Sequence, residues 1–273
     1  MPELPEVETT CRGIEPYLIS RKVHTIEIRN PNMRWPVEES VREIIGLRVE
    51  SVTRRAKYIL IKSPAGTLIL HLGMSGSLRI CPNDSAFKKH DHFIIGLGDS
   101  LEMRLHDPRR FGAVLWHRKS EGPIHEHRLI QHLGPEPLTS KFDGDYLTAS
   151  CKNRQTTIKQ HIMNNKTVVG VGNIYACEAL FRSGIKPNRH AGNISRARLS
   201  LLSDQIKKVL TEAITQGGTT LRDFLRQDGQ PGYFKQRLQV YDRQGEACRH
   251  CGKDIQKIVI SNRSTFYCSK CQR

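Results

Sequence analysis

Lys57-Tyr-Ile-Leu-Ile-Lys-Ser-Pro-Ala-Gly-Thr-Leu-Ile-Leu-His-Leu72 holds two strand-like runs, 57–62 and 67–72, separated by turn residues. Apolar side chains fall on both parities, the pattern of strands covered on both faces. Similar runs recur at His92-Phe-Ile-Ile-Gly-Leu97 and Ala113-Val-Leu-Trp116. With Gly, Pro and Asp between them, residues 23–118 read as an antiparallel β-sandwich. A helix is expected before it, because Val7, Cys11, Ile14 and Leu18 recur at steps of 4, 3 and 4 and Pro5 suits a first helical turn. Pro16 should kink or shorten that helix.

Further along, the period changes. Residues 119–146 are rich in Pro, Gly and His and read as a linker. Short helices are expected near 156–164 and 173–182. A longer one follows Ser195, with Leu199, Leu202, Ile206, Val209, Leu210, Ala213 and Ile214 on one side, and ends at Gly217-Gly218. Residues 217–232 read as largely loop. Domains are therefore expected at 1–118, 147–232 and 233–273, an α+β multidomain chain, whereas 273 residues at roughly 150 per domain suggest by length alone about two.

The last 26 residues carry Cys248-x-x-Cys251 and Cys268-x-x-Cys271. Four thiolates close a tetrahedral zinc shell and leave no open position for chemistry, so one structural zinc is expected in a ribbon or hairpin finger. Composition points the same way. With 43 Lys and Arg against 27 Asp and Glu, the net charge is +16, which calls for a polyanion. Nine basic and three acidic residues lie from Gly229 onward. The apolar runs are too short for a membrane helix, and the start is too acidic for a signal peptide. A cytoplasmic, nucleic-acid-binding protein is expected.

Against that charge, Glu3, Glu6 and Glu8 crowd beside Pro2. Alone, they read as helix-start chemistry, acids being favoured by the macrodipole. A second reading opens if Met1 is removed. Pro2 then exposes a secondary amine, and α-amino groups titrate near roughly 8. Such an amine can attack a sugar C1′ and form an iminium while a neighbouring carboxyl moves the protons.

The string Pro2-Glu-Leu-Pro-Glu-Val-Glu-Thr9 resembles the start of the bacterial formamidopyrimidine-DNA glycosylases, the MutM type. Five further blocks are similar in the same order: Arg54-Arg-Ala-Lys57-Tyr58, His71-Leu-Gly-Met-Ser-Gly76, Lys89-His-Asp-His92, Asp107-Pro-Arg-Arg-Phe-Gly112 and Gly170-Val-Gly-Asn-Ile-Tyr-Ala176. The zinc tail, with Arg263 ahead of Cys268, completes the series. The resemblance implies a helix–two-turn–helix domain between sandwich and finger, with 217–232 as the segment closing over the damaged base. It implies Pro2 as Schiff-base nucleophile, Glu3 as acid/base, Lys57 in proton transfer and phosphate contact, and Arg263 at the finger tip in strand cleavage. Met74, Arg109 and Phe111 match the intercalating triad that fills the space left by a flipped base. His90, Arg154, Lys159 and Asn173 match phosphate contacts. Glu6 and Glu178 are candidates for orienting the site. Arg154 stands where the family often has lysine, and Cys177 where serine is commoner.

The implied activity is a bifunctional glycosylase and abasic-site lyase acting, as a monomer, on oxidised purines in double-stranded DNA. No catalytic metal or organic cofactor is implied. Two alternatives stay in view: an endonuclease VIII-type enzyme for oxidised pyrimidines, and a non-catalytic zinc-ribbon protein.

Overall fold

The computed structural model describes residues 2–218 and 234–273. It divides into two compact units. One is built on the chain up to Gln131 and rejoined at Gln216; the other comprises His132–Thr215 and Phe234–Arg273.

The first unit opens with α1 (Leu4–Leu18), then β1 (Thr25–Ile28), β2 (Ser51–Arg55), β3 (Tyr58–Ser63), β4 (Gly66–His71), β5 (Ser77–Pro82), β6 (Asp91–Gly98), β7 (Leu101–His106) and β8 (Ala113–Arg118). The strands form two four-stranded sheets, ordered β1-β6-β7-β5 and β2-β3-β4-β8, and every pairing is antiparallel. Ile59, Ile61, Leu68 and Leu70 enter one core with Phe93, Ile95, Met103 and Leu105 of the other sheet. Leu60 and Ile69, of opposite parity, are buried outside that cluster, which is why the sequence shows no alternation there. Tight turns hold the registers. Asp99 and Ser100 both take positive φ between β6 and β7, the mirror-image turn that matches strand twist.

Val7, Cys11, Ile14 and Leu18 of α1 all lie in that core. The helix runs two residues past Pro16 and then stops. Proline so near the end costs little, because only the bond to the Arg12 carbonyl is forfeited.

The second unit contains α2 (Gly144–Cys151), α3 (Ile158–Met163), α4 (Asn173–Arg182), α5 (Arg196–Thr215) and a hairpin of β9 (Gln256–Ile260) with β10 (Arg263–Tyr267). The stretch read as linker, 119–146, includes buried Ile130 and Phe142 and the start of α2. Eight residues make too short a helix to show a period, and its signal is the cap: Asp143 accepts from Tyr146 N–H at 2.7 Å. Thr157 and Gln160 form a capping box on α3. On α5 the apolar side is buried as expected, except that Ile214 is half-exposed. Cys177 and Phe181 of α4 share a small core with Cys248, Phe266 and Cys268, so the cysteine end of the hairpin seats on α4. Of the 217–232 segment, residues beyond 218 lie outside the described residues. No described helix is long and apolar enough to cross a membrane.

Candidate active site and nucleic-acid interface

Pro2 is buried immediately ahead of α1. Glu3 is the N-cap, and Glu6 reaches back to accept its N–H at 2.8 Å. Both carboxylates are 2% exposed. The chain after α5 comes up against this knot: a Cβ added at Gly218, whose φ is +85°, would lie 3.1 Å from Glu6 Oε1. Glu8 is different in kind. Burial pushes its carboxyl up, but bonds of 2.8 Å from Arg54 and from Arg12 outweigh this and hold it below the usual range. Arg54 is thereby committed to Glu8 and to the Ala56 carbonyl.

Lys57 sits at the tip of the β2–β3 hairpin, beside Ala56 at φ +54°, a conformation uncommon without glycine. Across the sheet Tyr58 pairs with His71, their rings 5.1 Å apart. His71 Nδ1 accepts the Gly73 N–H at 2.9 Å. Burial, then the charges of Arg34 and Lys57, bring its pKa down to about 4. It is a neutral imidazole at physiological pH, and the amide donor at Nδ1 leaves the proton on Nε2. A hydrogen-bond donor thus stands near the Lys57 ammonium. In the sequence this histidine stands out only within the His71–Gly76 motif; its signal is a strand-ending His two residues before a glycine.

Two loops are locked together beyond it. Gly73 has φ +64°, and a Cβ there would fall 2.4 Å from the Phe111 carbonyl carbon. Asp107, fully buried, accepts from Ser75 Oγ at 3.1 Å and from Gly112 N–H at 2.7 Å. Its own carbonyl accepts from Arg110 N–H at 3.2 Å and lies 3.1 Å from His92 Nε2. This carboxylate, absent from the expected site residues, presents Met74 half-buried and Arg109 exposed. Phe111 is 44% exposed, with the Arg109 guanidinium 5.0 Å from its ring. A large aromatic held in solvent on a rigid hub suits insertion rather than packing. His90 is partly exposed, 5.9 Å from the rings of His92 and His106.

In the second unit Arg154 and Arg263 are exposed, Arg263 immediately after the Ser261-Asn262 turn. Lys159, expected at a phosphate, is held by internal partners in this structure. It is 1% exposed, and Nζ donates to Asn173 Oδ1 at 2.5 Å, Thr265 Oγ1 at 2.6 Å and Ser264 O at 3.5 Å. Asn173 Nδ2 donates to the same Ser264 carbonyl at 2.9 Å. Lysine and asparagine together tie β10 to the start of α4. Glu178 is fully buried and accepts backbone N–H groups from Gln239, Val240 and Tyr241 at 2.8, 3.0 and 2.9 Å. Burial raises its pKa, and those donors oppose the rise.

The four cysteine Sγ atoms lie within 4.8 Å of one another. Zn–S bonds of about 2.3 Å in a tetrahedron put sulfurs roughly 3.8 Å apart. The pairs Cys248–Cys271 at 3.9 Å and Cys251–Cys268 at 3.4 Å fit that spacing. The cluster is a site for one structural zinc.

Known proteins resemble the chain over its whole length. Residues 1–114 match the formamidopyrimidine-DNA glycosylase N-terminal domain, 133–225 the H2TH domain of the same enzymes, and 245–273 a zinc finger found in FPG and IleRS. A formamidopyrimidine-DNA glycosylase of Thioalkalivibrio sulfidiphilus is 56% identical over 100% of both chains. A Lactococcus lactis Fpg (MutM) complex with N7-benzyl-Fapy-dG DNA superposes at TM-score 0.91, with 32% identity and full coverage of both chains. A complex of Lactococcus lactis Fpg with DNA containing an abasic site gives 0.91, at 31% identity and 99% coverage of each.

Proposed function

The chain belongs to the formamidopyrimidine-DNA glycosylase family, and from that premise we propose that it excises oxidised purines from double-stranded DNA and cleaves the resulting abasic site. The observation that carries this reading is the N-terminal knot: Pro2 heads a helix whose first carboxylates, Glu3 and Glu6, are both buried in an otherwise basic protein.

With Met1 removed, the Pro2 nitrogen attacks C1′ of the flipped nucleotide. The glycosidic bond breaks and the base leaves with a proton. Glu3 manages these protons at the sugar. The covalent iminium draws electrons from C2′, whose proton is lost as the 3′ C–O bond breaks; δ-elimination then releases the sugar and leaves a one-nucleotide gap. Lys57 assists proton transfer beside a phosphate, with the neutral His71 as neighbouring donor. Met74, Arg109 and Phe111 occupy the vacated space, and Arg109 pairs with the orphaned cytosine. His90, Arg154, Asn173 and Arg263 hold phosphates; Arg263 also assists cleavage. Lys159 acts on the phosphate track indirectly, through the Asn173 amide and β10. Residues 1–118 form the catalytic domain, 147–232 the helix–two-turn–helix domain and 233–273 the finger, joined by 119–146. The zinc supplies folding free energy to the finger. The setting is a reducing cytoplasm, where such thiolates persist.

Borohydride tests the reading. Wild-type protein mixed with a duplex carrying 8-oxoguanine opposite cytosine gives a trapped covalent complex, and Pro2→Gly gives none. Absence of the wild-type complex would overturn it. Preference for thymine glycol would shift the substrate to oxidised pyrimidines.

A further inference from the structure

α3 separates two cavities within the second unit. On one side, a cavity of about 240 Å³ is lined by Lys159, Met163, Ile260, Ser261 and Arg263. On the other, a cavity of about 530 Å³ is lined by Tyr146, Ser150, Arg154, His161 and Lys166, among others. Gln160 and Asn164 line both. They are one helical turn apart, so they form an uncharged ridge between the two hollows. Among the described residues no carboxylate lines either cavity.

The larger cavity is built for an anion. Arg154 and Lys166 are exposed at its wall, and neither forms an ion pair among the described residues. The Arg154 Nε donates to the Ser150 carbonyl at 3.4 Å, and its outer nitrogens make no hydrogen bond among the described residues. His161 Nε2 lies 3.0 Å from Ser150 Oγ. Burial and the Arg154 charge hold this histidine below its usual pKa, so it brings polarity without a third charge. Two cations around a polar hollow, with no acid beside them among the described residues, match a phosphate.

We propose that this cavity is a second phosphate seat, in which Lys166 and Arg154 hold a backbone phosphate of the bound DNA beyond the one facing Arg263, with the Gln160–Asn164 ridge carrying the strand between them. The proposal rests on the family reading and adds Lys166, a residue that no motif singled out. Because the Lys166 side chain is exposed and makes no ion pair among the described residues, its replacement leaves the fold intact.

The test is equilibrium binding of the zinc-loaded full chain to a duplex holding an uncleavable abasic analogue, across a salt series. K166Q is expected to bind about fivefold to tenfold more weakly at moderate salt and to lower the log–log salt slope by about 0.9, the value of one phosphate contact. K208Q, which removes the same charge from the exposed side of α5, should keep the wild-type slope. A scan of single neutral methylphosphonates should then find one position where wild type loses affinity and K166Q loses no more. An unchanged slope in K166Q, an equal fall in K208Q, or additive losses at every position would overturn the seat. So would displacement by inorganic phosphate at constant ionic strength, which marks a free-anion site. Failure of wild type to be trapped by borohydride would instead sink the family reading.

Discussion

Arg109 in the first unit stands in solvent above the Phe111 ring, whereas Lys159 in the second is 1% exposed with three oxygens around its ammonium. Both are cations that a sequence reading would aim at DNA. The first is presented by a buried acid, Asp107, which bonds the loops and leaves the arginine free. The second is itself the buried tie. One unit hides an anion to display a cation; the other hides the cation to position an amide, a hairpin and a helix start. Charge alone therefore says little about which basic residues meet phosphate.

The comparison can be broken most forcefully at the zinc cluster. Cys268→Ala, or chelation, removes binding free energy on the order of 10 kcal/mol that serves as folding free energy. Amide protection in β9 and β10 should vanish while that of the sandwich strands persists. Loss in both units together would mean that they do not fold independently. Next in size is Lys159→Met, which strands the Asn173, Thr265 and Ser264 acceptors and should cost about 3 kcal/mol. Hydrogen exchange should show the loss at β10 and α4. A variant as stable as wild type would return Lys159 to the surface.

His71 sharpens the same contrast through pH. Its folded pKa lies below its unfolded value of roughly 6.5, so the unfolded chain binds the extra proton and stability falls as pH drops from about 6.5 to about 4. The shift corresponds to no more than about 3 kcal/mol, less what solvent screens. Denaturant midpoints of the sandwich should follow that limb in wild type and flatten in His71→Gln. A limb unchanged by the substitution would assign it to other groups. Smallest in stability is Arg109→Ala, which should lie within about 0.5 kcal/mol of wild type because the side chain is exposed. Its effect belongs in binding: weaker affinity for a duplex with cytosine opposite the lesion, and little change with other bases opposite.

Several parts of the site were legible because their signal is local. The acidic knot at Glu3 to Glu8, the cysteine spacing and the glycine-bounded strands all lie within a few residues of one another. Asp107 lies inside the Asp107–Gly112 motif, yet its bonds to Ser75 and Gly112 span different elements, and a lone Asp-Pro reads as a turn. α2 escaped because eight residues show no period. Lys166 escaped because a single exposed lysine in a loop resembles any other.

Periodicity, turn residues and ligand spacing by themselves determined an antiparallel sandwich, then helices, then a zinc tail, because hydrophobic pattern and tetrahedral coordination act over short stretches of chain. Tertiary structure alone decided which charges are spent and which are free. Whether Lys159 meets solvent depends on Thr265, 106 residues away, and whether His71 carries a proton depends first on its burial and then on Arg34 and Lys57 from other elements. Burial and electrostatics sum over everything that folding brings near, and no local pattern records that sum.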